Sequence, residues 1–264
     1  MKAVYTPQAA TILRIKQLNE NTRMFTLDIS VGAAPGQFVN LWLPGIDEKP
    51  FSVADDDEKT LKLAIAKVGK FTEALFEKKE GDTVGVRGAY GNTFSIVQDK
   101  NVVLVGGGFG SAPLHFLGRA LQRNGCDVSI IIGARTKNLL MYETECKESG
   151  FRVFTTTNDG SAGEEGVVTT VLERLVREEN IDMVQTCGPE KMMEAVAILC
   201  QKNHIACEVS LERYMKCGFG VCGQCVCDNK LVCRDGCIFS GEEALNMEDF
   251  GKFHRGAEGQ KEYW

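Results

Sequence analysis

Residues 101–106, NVVLVG, form an unbroken apolar run that ends in a glycine turn and opens into a helix-like stretch, SAPLHFLGRALQRNG. A strand without polar alternation is buried on both faces, as in a parallel sheet covered by helices. The pattern then repeats. DVSIIIGA, FRVFTT, DMVQTCG and HIACEVS read as further strands, separated by helices around LLMYETECKESG, VVTTVLERLVREEN and PEKMMEAVAILCQKN. This alternation predicts a doubly wound α/β parallel sheet over residues 99–210, the size of one mononucleotide-binding unit.

Upstream the rhythm differs. TILRIKQL, TRMFTLDI, GQFVNLWL, TLKLAIAKV and DTVGVRG are short β-like runs broken by Gly, Pro and Asp, with one short helix, FTEALFEKK, among them. Their even spacing predicts an antiparallel β-barrel or sandwich over residues 1–98. Over residues 211–264 regular pattern gives way to KCGFGVCGQCVCDNKLVCRDGC and a polar tail, GKFHRGAEGQKEYW. The chain reads as multidomain: barrel, nucleotide-type sheet and small cysteine module.

A net charge of −6 argues against nucleic acid or an anionic membrane as partner. No stretch approaches the ~20 apolar residues of a membrane span, and the N-terminal MKAVYTPQAATILRIKQLNENTRMF lacks the apolar core of a signal peptide. A cytoplasmic location is expected, where structural disulfides are rare. Eleven cysteines there, with six between Cys217 and Cys237, point to metal or redox chemistry. Cys126, Cys146, Cys200 and Cys207 read instead as small buried hydrophobes.

In VGGGFGSAP, Gly106, Gly107, Gly108 and Gly110 allow a tight turn and let a pyrophosphate approach the N-terminus of the next helix. Ser111 occupies the last position of the strict fingerprint, so a plain βα turn is the alternative. A second turn, Cys187-Gly188-Pro189, sits at the carboxyl edge of the fourth strand, where ligands of such sheets lie. In the barrel, EKPFSVAD and AKVGKFT offer Lys49, Lys67 and Lys70 as phosphate partners, Ser52 and Thr72 as hydroxyl donors, and Phe51 as a flat face. A solvated lysine face is the alternative there.

Cys217-x4-Cys222-x2-Cys225 has the plant-type spacing of a [2Fe–2S] cluster completed by a later cysteine. Structural zinc, the alternative, more usually shows two C-x2-C knuckles. For the fourth ligand, Cys227 would leave its strand on the same face as Cys225 and crowd it. Cys233 can return from a paired strand across the DNK turn, and Cys237 follows another glycine turn. Cys233 is the expected ligand, with Cys237 the alternative.

Taken together, EKPFSVAD, AYGNTF, the GGGFGSAP turn and CGPEKM resemble the ferredoxin–NADP reductase superfamily over residues 10–200. The resemblance implies an FAD-binding barrel in which Lys49, Pro50, Phe51 and Ser52 contact the flavin and its phosphates. Gly69, Lys70 and Thr72 would complete the diphosphate cradle, with Ile65, Ala66 and Lys67 on the approaching strand. Lys49 stands where the motif usually has Arg and lacks its bidentate fork, and Ala89 stands where Pro is common.

SLERYMKCGFGVCGQC, LVCRDGCIF and EDFGKFHR narrow the resemblance to the electron-transfer subunits of class 1B dihydroorotate dehydrogenases. It implies a [2Fe–2S] cluster on Cys217, Cys222, Cys225 and Cys233, although Cys237 replaces a frequent Pro. It also implies an NADH/NAD+ site at the two glycine turns and an FMN-containing catalytic partner in a heterotetramer with two copies of each chain. A nicotinamide moves two electrons as hydride and a cluster moves one, so the intervening flavin makes the chain a two-to-one-electron converter. Dihydroorotate would be oxidised to orotate, for pyrimidine biosynthesis, on the partner. The same three modules also resemble the flavin subunits of sulfhydrogenases and of NADH-dependent ferredoxin:NADP oxidoreductases. A zinc-binding or redox-sensing module is the rival from another class. Arg135 and Lys137 follow the second strand and would suit a 2′-phosphate, which leaves NADPH open beside NADH.

Overall fold

A computed structural model describes residues 6–264; residues 1–5, the start of the stretch read above for a leader and for the barrel, lie outside the described residues. The first unit is built from β1 (Gln8–Gln17), β2 (Thr22–Leu27), β3 (Phe38–Leu43), β4 (Asp47–Ser52), β5 (Asp55–Asp56), β6 (Leu61–Ala66), helix α1 (Lys70–Phe76) and β7 (Thr83–Tyr90). All pairings are antiparallel, in the order β4-β3-β7-β1-β2-β6-β5. β1 changes partner along its length, pairing with β7 over 8–11 and with β2 from residue 12, and the β2 pairing shifts register between Ile12 and Arg14. That shift turns the sheet through a corner, as barrels require. Alternate residues then face one core of Ile12, Phe25, Leu41, Leu63, Ile65 and Val86, each at most 1% exposed. Burying a side chain of this size contributes roughly 1.5–3 kcal/mol. β4 is a strand that the apolar pattern does not reveal. It carries the motif EKPFS, and pairing with β3 rather than burial of its own side chains holds it in line.

The second unit follows the predicted alternation: β8 (Asn101–Gly107), α2 (Ser111–Arg123), β9 (Asp127–Ala134), α3 (Glu143–Glu148), β10 (Arg152–Thr157), the short β11 (Glu164–Glu165), α4 (Val168–Glu178), β12 (Met183–Cys187), α5 (Glu190–Lys202) and β13 (Ala206–Ser210). These strands are parallel, in the order β11-β10-β9-β8-β12-β13. Both faces of β8 are packed: Val102 and Leu104 meet α2, while Val103 and Val105 meet α4 and α5. Reversal of strand order beside β8 puts the carboxyl ends of β8 and β12 at the switch point where such sheets bind ligands.

The remainder holds β14 (Val226–Cys227), β15 (Lys230–Leu231), α6 (Val232–Asp235), β16 (Ile238–Ser240), α7 (Gly241–Leu245) and the hairpin β17 (Phe253–Arg255) with β18 (Lys261–Tyr263). β16 pairs antiparallel with β13 and becomes the last strand of the nucleotide-type sheet. Among the described residues no helix is long and apolar enough to cross a membrane.

Candidate functional site

The two glycine turns lie against each other. A Cβ on Gly110 would come 2.3 Å from the Cys187 carbonyl oxygen, and one on Gly107 would come 2.6 Å from Pro189 Cδ. Gly188, at φ +152°, approaches Gly107 so closely that a Cβ would meet its Cα at 2.9 Å. Gly106 is covered by Ser111, whose Oγ a Cβ would meet at 2.8 Å. Of the four glycines in the first turn, Gly108 alone faces open space, at a φ of +54° that disfavours other residues. The glycines thus divide between close packing of the two turns and, at Gly108, backbone open to the cleft.

Three clefts meet at this point. One, of about 580 Å³, crosses the carboxyl ends of β8, β9 and β10 and is walled by Gly107, Gly108, Arg135, Thr156, Asn158 and Pro189. Thr156 is 2% exposed, and its Oγ1 has no hydrogen-bond partner. A second, of about 170 Å³, lies between barrel and sheet, and Pro50, Phe51, Ser52, Ala66, Gly110 and Cys187 contribute to its wall. The third, of about 900 Å³, runs along α1 past Lys49, Pro50, Phe51, Gly69, Lys70 and Thr72. Gly188 borders the last two clefts and Pro189 the first and third. Ile65 lies in the barrel core instead, 1% exposed, and Lys67 is an exposed side chain outside all three walls.

Local chemistry shapes the third cleft. The Thr72 hydroxyl accepts from the Val68 and Gly69 amides at 2.9 and 3.1 Å and donates to the Gly69 carbonyl at 2.9 Å. It therefore folds the loop before α1, leaving Gly69 open to the cleft with nothing within 4 Å of a Cβ. Lys49 is held by Asp47 at 2.6 Å and lies 5.3 Å over the Tyr214 ring. Cys187 is buried behind the second cleft, where desolvation pushes its thiol up to about 12.

The cysteine loop separates its thiols into groups. Cys217 pairs with Cys222 and Cys225 with Cys233, side chain to side chain. Burial disfavours ionisation of Cys217, but the amides of Cys222, Phe219 and Val221 outweigh it and hold the thiol at about 6. The Cys233 side chain holds Cys225 at about 7 against desolvation. Backbone N–H groups also reach the sulfurs: Gly220 to Cys233 at 3.2 Å and Val221 to Cys217 at 3.4 Å. Cys217 and Cys225 ionise easily, while the Cys225 side chain and burial push the Cys233 thiol up. Two thiol pairs with donated N–H groups fit a binuclear iron–sulfur cluster with two ligands per iron. Among the described residues no three or more His, Cys, Asp or Glu side chains are gathered closely enough to hold a metal ion, the four loop cysteines included.

Cys233 stands in the first turn of α6, directly after the paired strand β15, because the chain winds into a helix there rather than extending the hairpin. Cys227 does not crowd Cys225. Its sulfur takes a bond from Arg213 Nη2 at 3.0 Å and lies 3.7 Å from Met247 Sδ, and burial pushes its thiol up to about 11. Cys237 is buried in the wall of the second cleft.

Several wall residues were not legible from the sequence. Phe109, half-exposed between two glycines, borders all three clefts. Glu212, Arg213 and Met215 border the second and third, and Cys217 follows two residues on. The Glu212 carboxyl opens to the cleft but is otherwise surrounded by protein, and desolvation raises its pKa against the opposing Arg213 charge. His254, unremarkable in a polar tail, stacks on Trp264 with centroids 4.5 Å apart, and both line the third cleft. Their sequence neighbours carry no periodic signal.

Comparison with known proteins adds to this geometry. Residues 212–245 match the iron–sulfur cluster binding domain of dihydroorotate dehydrogenase B, and residues 104–197 match an oxidoreductase NAD-binding domain. A Methanocaldococcus jannaschii protein named probable dihydroorotate dehydrogenase B (NAD(+)), electron transfer subunit, is 41% identical over 96% of this chain and 98% of its own length. A Pyrococcus furiosus protein of the same name is 43% identical over 92% and 94%. Among solved structures, a chain of an NADH-dependent reduced ferredoxin–NADP oxidoreductase superposes with a TM-score of 0.82 at 36% identity, covering 89% of this chain and 88% of that one.

Proposed function

We propose a route for electrons from one premise: this chain belongs to the family of electron transfer subunits of dihydroorotate dehydrogenase B (NAD(+)). It is an oxidoreductase component that uses FAD, an iron–sulfur cluster and NAD(H). The cleft of about 580 Å³ is assigned to NAD(H), with Gly107 and Gly108 offering backbone to the pyrophosphate and the unpartnered Thr156 hydroxyl available to the ligand. Lys49, Pro50, Phe51, Ser52, Gly69 and Lys70 would hold the flavin, with Thr72 shaping the loop. Cys217 and Cys222 would bind one iron of a [2Fe–2S] cluster, Cys225 and Cys233 the other. When bound, flavin supplies the exchange between hydride transfer and single-electron transfer.

One observation carries the reading: residues 212–215 contribute to the walls of the central clefts, and Cys217 begins the thiol group two residues later. The short segment 212–217 therefore runs from clefts that Pro50, Phe51 and Gly188 also border to the first thiol of the cluster loop. The protein's work is to hold the rings and the thiols in these places and to keep Cys187 protonated behind them. The dihydroorotate chemistry belongs to a partner chain, for which we propose an FMN-containing catalytic subunit in a two-plus-two assembly. Free cysteines throughout suit a reducing cytoplasm.

Purified protein mixed with such a partner is expected to reduce NAD+ when dihydroorotate is supplied, while either chain alone does not. Absence of orotate-linked NAD+ reduction by the mixture would overturn the assignment. Zinc in place of iron, in a colourless protein, would overturn the cluster.

A further inference from the structure

Arg87 lies on β7, 7% exposed, and all five of its N–H donors are engaged. Nε and Nη2 grip the Glu48 carboxylate on β4, the latter at 2.6 Å. Nη1 donates to Tyr90 Oη at 2.9 Å and to the Cys217 carbonyl at 2.7 Å, and Nη2 also reaches the Lys216 carbonyl at 3.4 Å. The guanidinium carbon sits 5.6 Å over the Phe219 ring. Two neighbours grip the same stretch. Asn40 Nδ2 donates to the Lys216 carbonyl at 3.3 Å, and Gly218, at φ +84°, passes so near Tyr90 that a Cβ would meet its ring at 3.1 Å.

The barrel needs no cation here to close, since a buried ion pair adds little to stability over apolar packing. The pair is also directional. Its acid stays on the barrel side, and its positive end touches the peptide of the first cysteine in the loop. An electron added to a cluster adds negative charge, which a fixed positive group in a low-dielectric setting favours.

We propose that Arg87 is a positioning residue that seats the cysteine loop on the barrel and, through its contact with the Cys217 carbonyl, raises the reduction potential of the cluster. The inference rests on the cluster assignment above. It is tested on holoprotein carrying Arg87→Met, Arg87→Lys or Glu48→Gln, by iron content, the cluster's EPR spectrum and redox titration of its midpoint. Arg87→Met is expected to lower the midpoint, by 59 mV if the reduction equilibrium changes tenfold. Arg87→Lys restores part of that fall. Glu48→Gln removes the counter-charge while leaving the guanidinium, and shifts the midpoint upward. A brace without electrostatic effect would leave the potentials in place or move Arg87→Met and Glu48→Gln in the same direction, and either result overturns the proposal. If Arg87→Met does not fold, the sign of the Glu48→Gln shift still decides. Wild-type protein without iron would refute the cluster assignment, whereas iron-loaded protein with unmoved potentials would refute only the role of Arg87.

Discussion

A methyl group on Gly110 would lie 2.3 Å from one backbone oxygen and 2.9 Å from the Gly188 nitrogen, so neither turn could keep its place. Gly110→Ala is expected to weaken NADH binding at least about tenfold, equivalent to 1.4 kcal/mol, as measured by titration of the bound nucleotide. Its φ is −62°, so the constraint is space and not conformation. The sequence motif named this glycine for ligand approach, and its contacts show a packing role that spacing alone does not encode. The thiols divide as sharply. Cys233→Ser is expected to lose the cluster's visible absorption and iron, whereas Cys237→Ser, altering a buried cleft wall, is expected to keep both. Loss of iron in the second variant alone would exchange the two assignments.

Helix α2 carries His115 into a sandwich between Tyr142 and Phe151, with ring centroids at 5.4 and 5.7 Å, and its Nε2 bonds with Ser149 Oγ at 2.9 Å. Burial, aided by the Arg119 charge, lowers its pKa from 6.5 to about 4. The folded protein therefore keeps this ring neutral over a range where the unfolded chain protonates it. Stability should be full above pH 6.5 and decline as pH falls towards 4, by up to about 3 kcal/mol. His115→Phe should flatten that part of the curve in denaturant melts across pH. The strands and helices of the parallel sheet were legible because double-sided burial leaves unbroken apolar runs such as SIIIG. β4 was not, because charges and a proline fill a strand kept in place by its neighbour. Short α6 was hidden for a similar reason, since four residues carry no helical period.

Across the whole molecule, Arg213 and Glu190 form an ion pair whose side chains are 1% and 4% exposed. Glu190 opens α5, directly after the Cys187-Gly188-Pro189 turn, and also accepts from the Gly251 amide at 2.8 Å and Trp264 Nε1 at 3.3 Å. Arg213 in turn donates to Cys227 beside the cysteine loop. Nucleotide sheet, cysteine module and tail thus share one buried charge pair. Arg213→Met would strand the carboxylate and is expected to cost about 3–5 kcal/mol in denaturant melts, much more than the double variant with Glu190→Met. None of this network was readable from spacing, because its members come from distant parts of the chain.

The pairing of β16 with β13 sets a limit on dissection of the protein. A chain cut after residue 210 would retain both glycine turns yet bare the flank of β13, whose amides and carbonyls would then seek another strand. Such a fragment should self-associate, so the reductase half is soluble alone only when this flank is capped.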